Sequence, residues 1–238
     1  MVSVVRPDSS AFVLKEAHEA LLGTVHVGVL VPWANTIVET ELPRLGLHRV
    51  VFHYARLVPA SRTTGLDNRF LRELVSAIPE ALTALSRLPL VRTLLACTSA
   101  GFTEAGHTLP VVSAFDALVT TLTRMSVDRI VLIAPYPRWL TAIEARAFEE
   151  RGFAVLAHSS LDREDSYSQV SPIEVQSLIA KISASELAGA QAMVLSCTGW
   201  PTLGLLTDLE DTFSIPALSS NLAMAIQAMA GDEIGAAA

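Results

Sequence analysis

The two cysteines of this 238-residue chain stand in matching contexts, and a pair of thiols can do nucleophilic or acid–base chemistry. Cys97 follows the apolar run 94–96, Cys197 follows the similar run 194–196, and each is followed by threonine. These runs are typical of buried strands that end in a turn. Backbone N–H groups at a strand-to-helix turn hold anions and lower the pKa of a thiol. Both cysteines are therefore candidate reactive groups.

The cysteines also have two structural interpretations. Free cysteine is among the most buried residue types, so either thiol could serve only as a small apolar side chain. Two cysteines could also form a disulfide. The equivalent positions favour a chemical role over packing, and the cytoplasmic location expected below argues against a disulfide.

A second pair of motifs indicates an internal repeat. Pro32-Trp33-Ala34-Asn35 follows one apolar run, and Pro135-Tyr136 follows another. The two prolines, like the two cysteines, lie about 100 residues apart. Repeated motifs in the same order predict two α/β halves related by a pseudo-twofold axis, residues 25–115 and 116–238, after an N-terminal extension at 1–24. The C-terminal segment is expected to pack back on the first half.

Strand-like and helix-like segments alternate along the chain. The predicted strands are nearly continuous apolar runs, as expected for buried parallel strands: Val25–Val31, Val50–Tyr54, Arg92–Ala96, Arg129–Ala134, Ala154–Ala157, Ala192–Ser196 and Ile215–Leu218. The predicted helices between them are Asn35–Leu45, Asn68–Leu88, Ala114–Met125, Trp139–Arg151 and Pro172–Leu187. This order predicts an α/β fold with two Rossmann-like halves and parallel sheets.

The four motifs are expected to meet in the cleft between the halves, because ligands bind beyond the carboxyl ends of parallel strands. Asn35 has two interpretations that are compatible: it caps a helix, or its amide donates to a substrate carboxylate. The remaining candidates for substrate binding are Pro32, Trp33, Thr98, Ser99, Tyr136, Thr198 and Gly199.

Composition and motifs exclude several classes of protein. The chain is 51% hydrophobic and 17% charged, which excludes disorder, and its net charge of −7 disfavours binding to nucleic acid. The uncharged stretches 187–207 and 212–231 are interrupted by polar turns, so each predicts a strand, a turn and a helix rather than a membrane span. The first twenty residues carry charges and lack the apolar region of a signal peptide, which favours a cytoplasmic location.

Neither a metal nor a nucleotide cofactor is predicted. The six histidines show no paired helical spacing, and no glycine-rich phosphate loop follows any predicted strand.

The motifs together resemble the Asp/Glu racemase superfamily, and within it the maleate cis-trans isomerases. The matching segments are in order from about residue 25 to 221: Gly28–Glu39, Leu95–Ser99, Ala134–Tyr136 and Leu195–Pro201. The resemblance implies a small carboxylic acid as substrate, no metal, no cofactor and a homodimer or higher homo-oligomer.

The resemblance also implies roles for four residues. Cys97 would add to the double bond of an enoate, and Cys197 would protonate the neighbouring carbon. Rotation about the resulting single bond and elimination of Cys97 would release the trans product. Asn35 and Tyr136 would hold carboxylates, while N–H groups after each cysteine would stabilise the enediolate-like intermediate.

The chain departs from the isomerase pattern in two places. Asp165-Ser166 stands where isomerases have Asp-Asn, so one amide that would hold the substrate is missing. Trp33 and Trp200 are bulky residues that either pack in the core or form the wall of a more apolar pocket.

Three alternatives remain open. A racemase also uses two cysteines, but its second motif would have histidine in place of Gly199. An arylmalonate-type decarboxylase keeps only the second cysteine, so Cys97 counts against it. A catalytically silent binding protein on the same scaffold would need neither thiol.

Overall fold

Two four-stranded parallel sheets form the framework of the computed structural model, which describes residues 24–229 except 46, 48, 63, 64 and 104–110. The first sheet has the order β2-β1-β3-β4 and the second the order β6-β5-β7-β8. This identical order confirms the prediction of two pseudosymmetric α/β halves. The strands are β1 (Val25–Pro32), β2 (Val50–Leu57), β3 (Leu90–Leu95), β4 (Val112–Ser113), β5 (Arg129–Ala134), β6 (Ala154–Ser160), β7 (Ala192–Leu195) and β8 (Ala217–Ser219).

Helices connect the strands, as the parallel pairing requires. Their bounds are α1 (Val38–Arg44), α2 (Asn68–Ser76), α3 (Ile78–Leu85), α4 (Thr98–Phe102), α5 (Ala114–Arg124), α6 (Arg138–Glu150), α7 (Pro172–Ile179), α8 (Ala184–Gly189), α9 (Leu206–Phe213) and α10 (Ser220–Met229). Two predicted helices are each divided in two. The segment 68–88 breaks at Ala77, before Pro79, and the segment 172–187 breaks before Ser183, which caps α8.

Burial differs between the central and edge strands. Residues 27–31 of β1 and all four residues of β7 are buried, as predicted for strands covered on both faces. The prediction that β2 and β6 are buried strands is wrong. Both lie at sheet edges, and most of their residues are only partly buried, with Val51 exposed at 39%.

The last described helix, α10, joins the two halves. It packs against α5 and α1, and the Arg92 guanidinium donates a hydrogen bond of 2.8 Å to the Gln227 carbonyl. The predicted boundary between residues 115 and 116 falls inside α5, which begins at Ala114. The domain limits therefore stay a prediction, and residues 1–23 of the predicted extension lie outside the described chain.

The two uncharged stretches contain short secondary-structure elements. The first contains β7 and the start of α9, and the second contains β8 and α10. In the described part of the chain, no helix is long and apolar enough to cross a membrane.

Candidate active site

A single cavity of about 270 Å³ contains residues from all four predicted corners. Nine of the ten predicted site residues line it, and Trp33 does not. The nine are Pro32, Asn35, Cys97, Thr98, Ser99, Tyr136, Cys197, Thr198 and Gly199. The corners converge because the carboxyl ends of β1, β3, β5 and β7 face this space.

The two tryptophans do not line the cavity. The Trp33 N–H donates to the Leu57 carbonyl at 3.0 Å, which continues the pairing of β1 with β2. Trp33 and Ala34 form the turn after β1, in which Pro32 and Ala34 line the cavity while the Trp33 ring packs against the core. Trp200 is fully buried. Both rings therefore pack among core residues, and Trp33 as a substrate-binding residue stays a prediction that the described cavity lining does not support.

Cys97 is surrounded by hydrogen-bond donors at the start of α4. It is buried and unpaired with Cys197, and its Sγ lies 3.4 Å from Ser99 Oγ. Burial raises the pKa of this thiol, while the Ser99 hydroxyl and the backbone N–H groups of Ala100 and Ser99 oppose the rise. Three donors are thus in place to stabilise a Cys97 thiolate.

Cys197 has a different backbone and fewer donors. Its φ of 113° lies in a region that non-glycine residues rarely occupy, and its N–H donates to Ser220 Oγ at 3.0 Å. Burial raises the pKa of this thiol to about 12, although the Gly199 N–H, 3.2 Å from Sγ, and the Tyr136 hydroxyl oppose the rise. Cys197 therefore holds its proton at neutral pH, and its strained backbone is typical of functional sites.

Both ends of the Asn35 amide make hydrogen bonds beside the cavity. Its Oδ1 accepts hydrogen bonds from the N–H groups of Ile37 at 2.9 Å and Val38 at 3.2 Å, which holds the turn that leads into α1, although the N-cap position itself is Ile37. Its Nδ2 donates to Thr198 Oγ1 at 3.1 Å, and that hydroxyl donates to the Ala96 carbonyl at 2.7 Å. An amide nitrogen carries two hydrogens, so one remains for a ligand in the cavity.

Tyr136 lines the cavity with a buried side chain. Its hydroxyl is buried and makes no well-formed hydrogen bond among the described residues. Burial raises the pKa of Tyr136 well above its usual value, and the nearby Cys197 and Glu144 raise it further. The hydroxyl therefore keeps its proton, which it can donate either towards the nearby Cys197 sulfur or to a carboxylate.

The sequence of the chain matches one known protein family. The family model for arylmalonate decarboxylase matches residues 99–238, more than half of the chain. The chain belongs to the arylmalonate decarboxylase family.

Proteins named maleate isomerase resemble the chain over most of its length. The maleate isomerase of Geobacillus stearothermophilus is 26% identical over 219 residues, covering 82% of this chain and 86% of the relative. The maleate isomerase of Nocardia farcinica is 25% identical over 218 residues, covering 84% and 86%. These relatives confirm the resemblance to maleate isomerases that the sequence motifs indicated.

Solved structures show the same fold. A Nocardia farcinica maleate cis-trans isomerase mutant with a covalently bound succinylcysteine intermediate superposes with a TM-score of 0.76 at 23% identity, covering 86% of this chain and 91% of that chain. A liganded double mutant of arylmalonate decarboxylase gives 0.73 at 18% identity, covering 87% and 94%.

Sequence reasoning missed a buried carboxylate that links the halves of this decarboxylase-family protein. Glu41 of α1 accepts hydrogen bonds from the N–H groups of Thr202 at 2.7 Å and Leu203 at 2.8 Å. Its second oxygen accepts from Asn221 Nδ2 at 2.7 Å, and the same nitrogen lies 3.2 Å from the Thr198 carbonyl. Glu41 therefore holds the segment that follows Cys197.

A second buried carboxyl, Glu144, was also missed. It lies on α6, accepts a hydrogen bond from the hydroxyl of Ser196, and has no partner for Oε2 among the described residues. Burial raises its pKa to about 8, and the Ser196 hydroxyl opposes the rise. Leu140, Glu144 and Phe148 are spaced four residues apart and so share one helix face. This spacing could have predicted that Glu144 is buried.

Proposed function

We propose that this member of the arylmalonate decarboxylase family is a cofactor-independent cis-trans isomerase of maleate or a maleate-like enoic acid. The observation that carries the proposal is the pair of cysteines in one cavity with unequal surroundings. Cys97 has three donors that oppose the rise in its pKa, whereas burial raises the pKa of Cys197 to about 12. One thiol thus suits a nucleophile and the other a proton donor.

The reaction proceeds by addition and elimination. The Cys97 thiolate, formed when its proton passes to water, adds to one alkene carbon, and the alkene electron pair moves to the neighbouring carbon and its carboxylate. The Cys197 thiol protonates that carbon. After rotation about the new single bond, the Cys197 thiolate removes the proton, the double bond forms again and Cys97 leaves.

The cavity offers donors for the charge that develops. The N–H groups of Ser99, Ala100 and Gly199 already approach the sulfurs, and the Asn35 amide and the Tyr136 hydroxyl are placed for carboxylates. Donors fixed before the reaction stabilise an enediolate-like intermediate more effectively than mobile water. The succinylcysteine reported for the Nocardia farcinica isomerase is an intermediate of the same kind.

The alternatives differ in the product that each would form. A racemase would exchange a Cα proton of an amino or hydroxy acid. A decarboxylase, which the family name favours, would release carbon dioxide from a disubstituted malonate and would not use Cys97. A binding protein would turn over none of these acids. The predicted cytoplasmic location and homodimer stay predictions.

Incubation with maleate, followed by proton NMR, tests the proposal. We expect the fumarate signal to grow at the expense of maleate without added metal or cofactor. Deuterium exchange on an amino or hydroxy acid, in the absence of any turnover of maleate or its substituted forms, would instead identify a racemase. Carbon dioxide from an arylmalonate would identify a decarboxylase.

The nucleophile assignment has its own test. Cys97→Ser should abolish turnover, because an alcohol adds to an alkene far less readily than a thiolate. Iodoacetamide should alkylate Cys97 faster as the pH rises, since burial raises the pKa of this thiol. Unimpaired turnover by the serine variant would refute the assignment.

A further inference from the structure

Part of the cavity lining is apolar and comes from outside the cysteine corners. Leu66 and Phe70 line the cavity, and both are almost completely buried, at 8% and 7% exposure. Leu66 lies just before α2, and Phe70 is in the first turn of that helix. Neither residue has a role in the addition and elimination steps.

This apolar lining is held rigidly. Asp67 caps α2 by accepting a hydrogen bond of 2.7 Å from the Phe70 N–H, which fixes the first turn of the helix. The Leu66 N–H donates to the Glu164 carbonyl at 3.2 Å, so this segment is tied to the loop that contributes Ser166 and Tyr167 to the cavity. A preformed apolar surface binds apolar groups without an ordering cost.

The charge of the lining gives little support to binding by ion pairs. Among the described residues of the lining there is no lysine, arginine or histidine, and the one acidic residue there is the exposed Asp165. Affinity must therefore come from N–H and hydroxyl donors and from burial of apolar surface.

The cavity is larger than unsubstituted maleate requires. A cavity of about 150 Å³ holds benzene, and maleate has two more non-hydrogen atoms, so by proportion it needs roughly 200 Å³. The observed volume of about 270 Å³ leaves space for a further small group.

We propose that the preferred substrate is a cis-butenedioate bearing a small alkyl group, such as methylmaleate, with the alkyl group packed against Leu66 and Phe70. This inference rests on the proposed isomerase function. Burial of one methyl group should favour methylmaleate over maleate by at least about fourfold in kcat/KM.

The first experiment compares kcat/KM for the two acids in the unmodified protein by proton NMR. A ratio at or above about four supports the inference. A ratio of one or less, with maleate turned over, overturns the specificity and leaves the isomerase function intact. Turnover of neither acid overturns both.

Two further measurements locate the alkyl group. Phe70→Leu makes more room, so it should raise the preference for ethylmaleate over methylmaleate by roughly fourfold. Phe153→Leu is the matched control, because Phe153 is equally buried but does not line the cavity. If the two variants change the ratio alike, Phe70 does not contact the substituent.

Inhibition of the unmodified protein tests the apolar subsite without a substitution. Methylsuccinate should inhibit about fourfold more strongly than succinate, since both lack the reactive double bond and differ only in the methyl group. Equal inhibition would contradict an apolar subsite.

Discussion

Replacing Glu144 by glutamine should remove a fall in stability that occurs as the pH rises from about 4.5 to 8. Burial raises the pKa of Glu144 from 4.5 to about 8, so the folded protein keeps a proton that the unfolded chain has released in this range. The contribution is fully present below pH 4.5 and is lost as the pH rises through 8. Glutamine is neutral throughout and keeps an oxygen that can accept from Ser196.

The size of the effect follows from the width of this range. Each pH unit within it changes the free energy of unfolding by about 1.4 kcal/mol, so the change between pH 5.5 and 7.5 is about 3 kcal/mol. For a chain of this length, that corresponds to roughly 6–12 °C in Tm. The difference between wild type and variant should grow by this amount, because the other titrating groups are common to both.

Urea unfolding followed by circular dichroism at pH 5.5, 6.5 and 7.5 measures this difference. Glu149→Gln is the matched control, since Glu149 is exposed on the same helix. The difference in free energy of unfolding between this control and the wild type should be the same at all three pH values. The reasoning is refuted if Glu144→Gln also runs parallel to wild type, because Glu144 would then be ionised in the folded protein.

Three further substitutions test the site. Cys197→Ser should leave the substrate attached to Cys97, because water can protonate the neighbouring carbon but serine is a poor base for removing that proton again. Mass spectrometry should then show an addition equal to the mass of the substrate acid; an unmodified protein would argue against addition. Gly199→Ala should raise KM at least about tenfold, because the new Cβ would occupy space beside the Cys197 sulfur, 3.5 Å away. The Tm should change little, since the Cβ makes no clash at that distance. An unchanged KM would show that the substrate does not approach Gly199. Glu41→Gln should cost about 2–4 kcal/mol in urea unfolding, because the amide nitrogen faces donors, and wild-type stability would show that the bridge contributes nothing.

The alternation of strands and helices could be predicted because buried parallel strands are continuous apolar runs. The same reasoning failed at β2, since an edge strand carries a similar apolar sequence but is covered on fewer sides. Pro79 and the Ser183–Glu186 capping box were visible signals for the two helix breaks. The breaks were missed because the helical periodicity of hydrophobic residues continues across both of them.

The cysteine corners could be predicted because their residue types repeat in order. Leu66 and Phe70 could not, since their approach to the cavity depends on how the segment after β2 crosses to the loop at Glu164. Glu41 and Asn221 are 180 residues apart, and no local pattern reports a contact over that separation.

The late position of Ser220 in the sequence determines when the two cysteine corners can assemble during synthesis. Its hydroxyl accepts hydrogen bonds from Thr98 Oγ1 and from the Cys197 N–H, both at 3.0 Å, so one side chain joins the two cysteine corners. A ribosome adds Ser220 only after both cysteines. A nascent chain therefore carries both thiols before it can orient them, and the two cysteine corners come together only when the segment that forms α10 has left the exit tunnel.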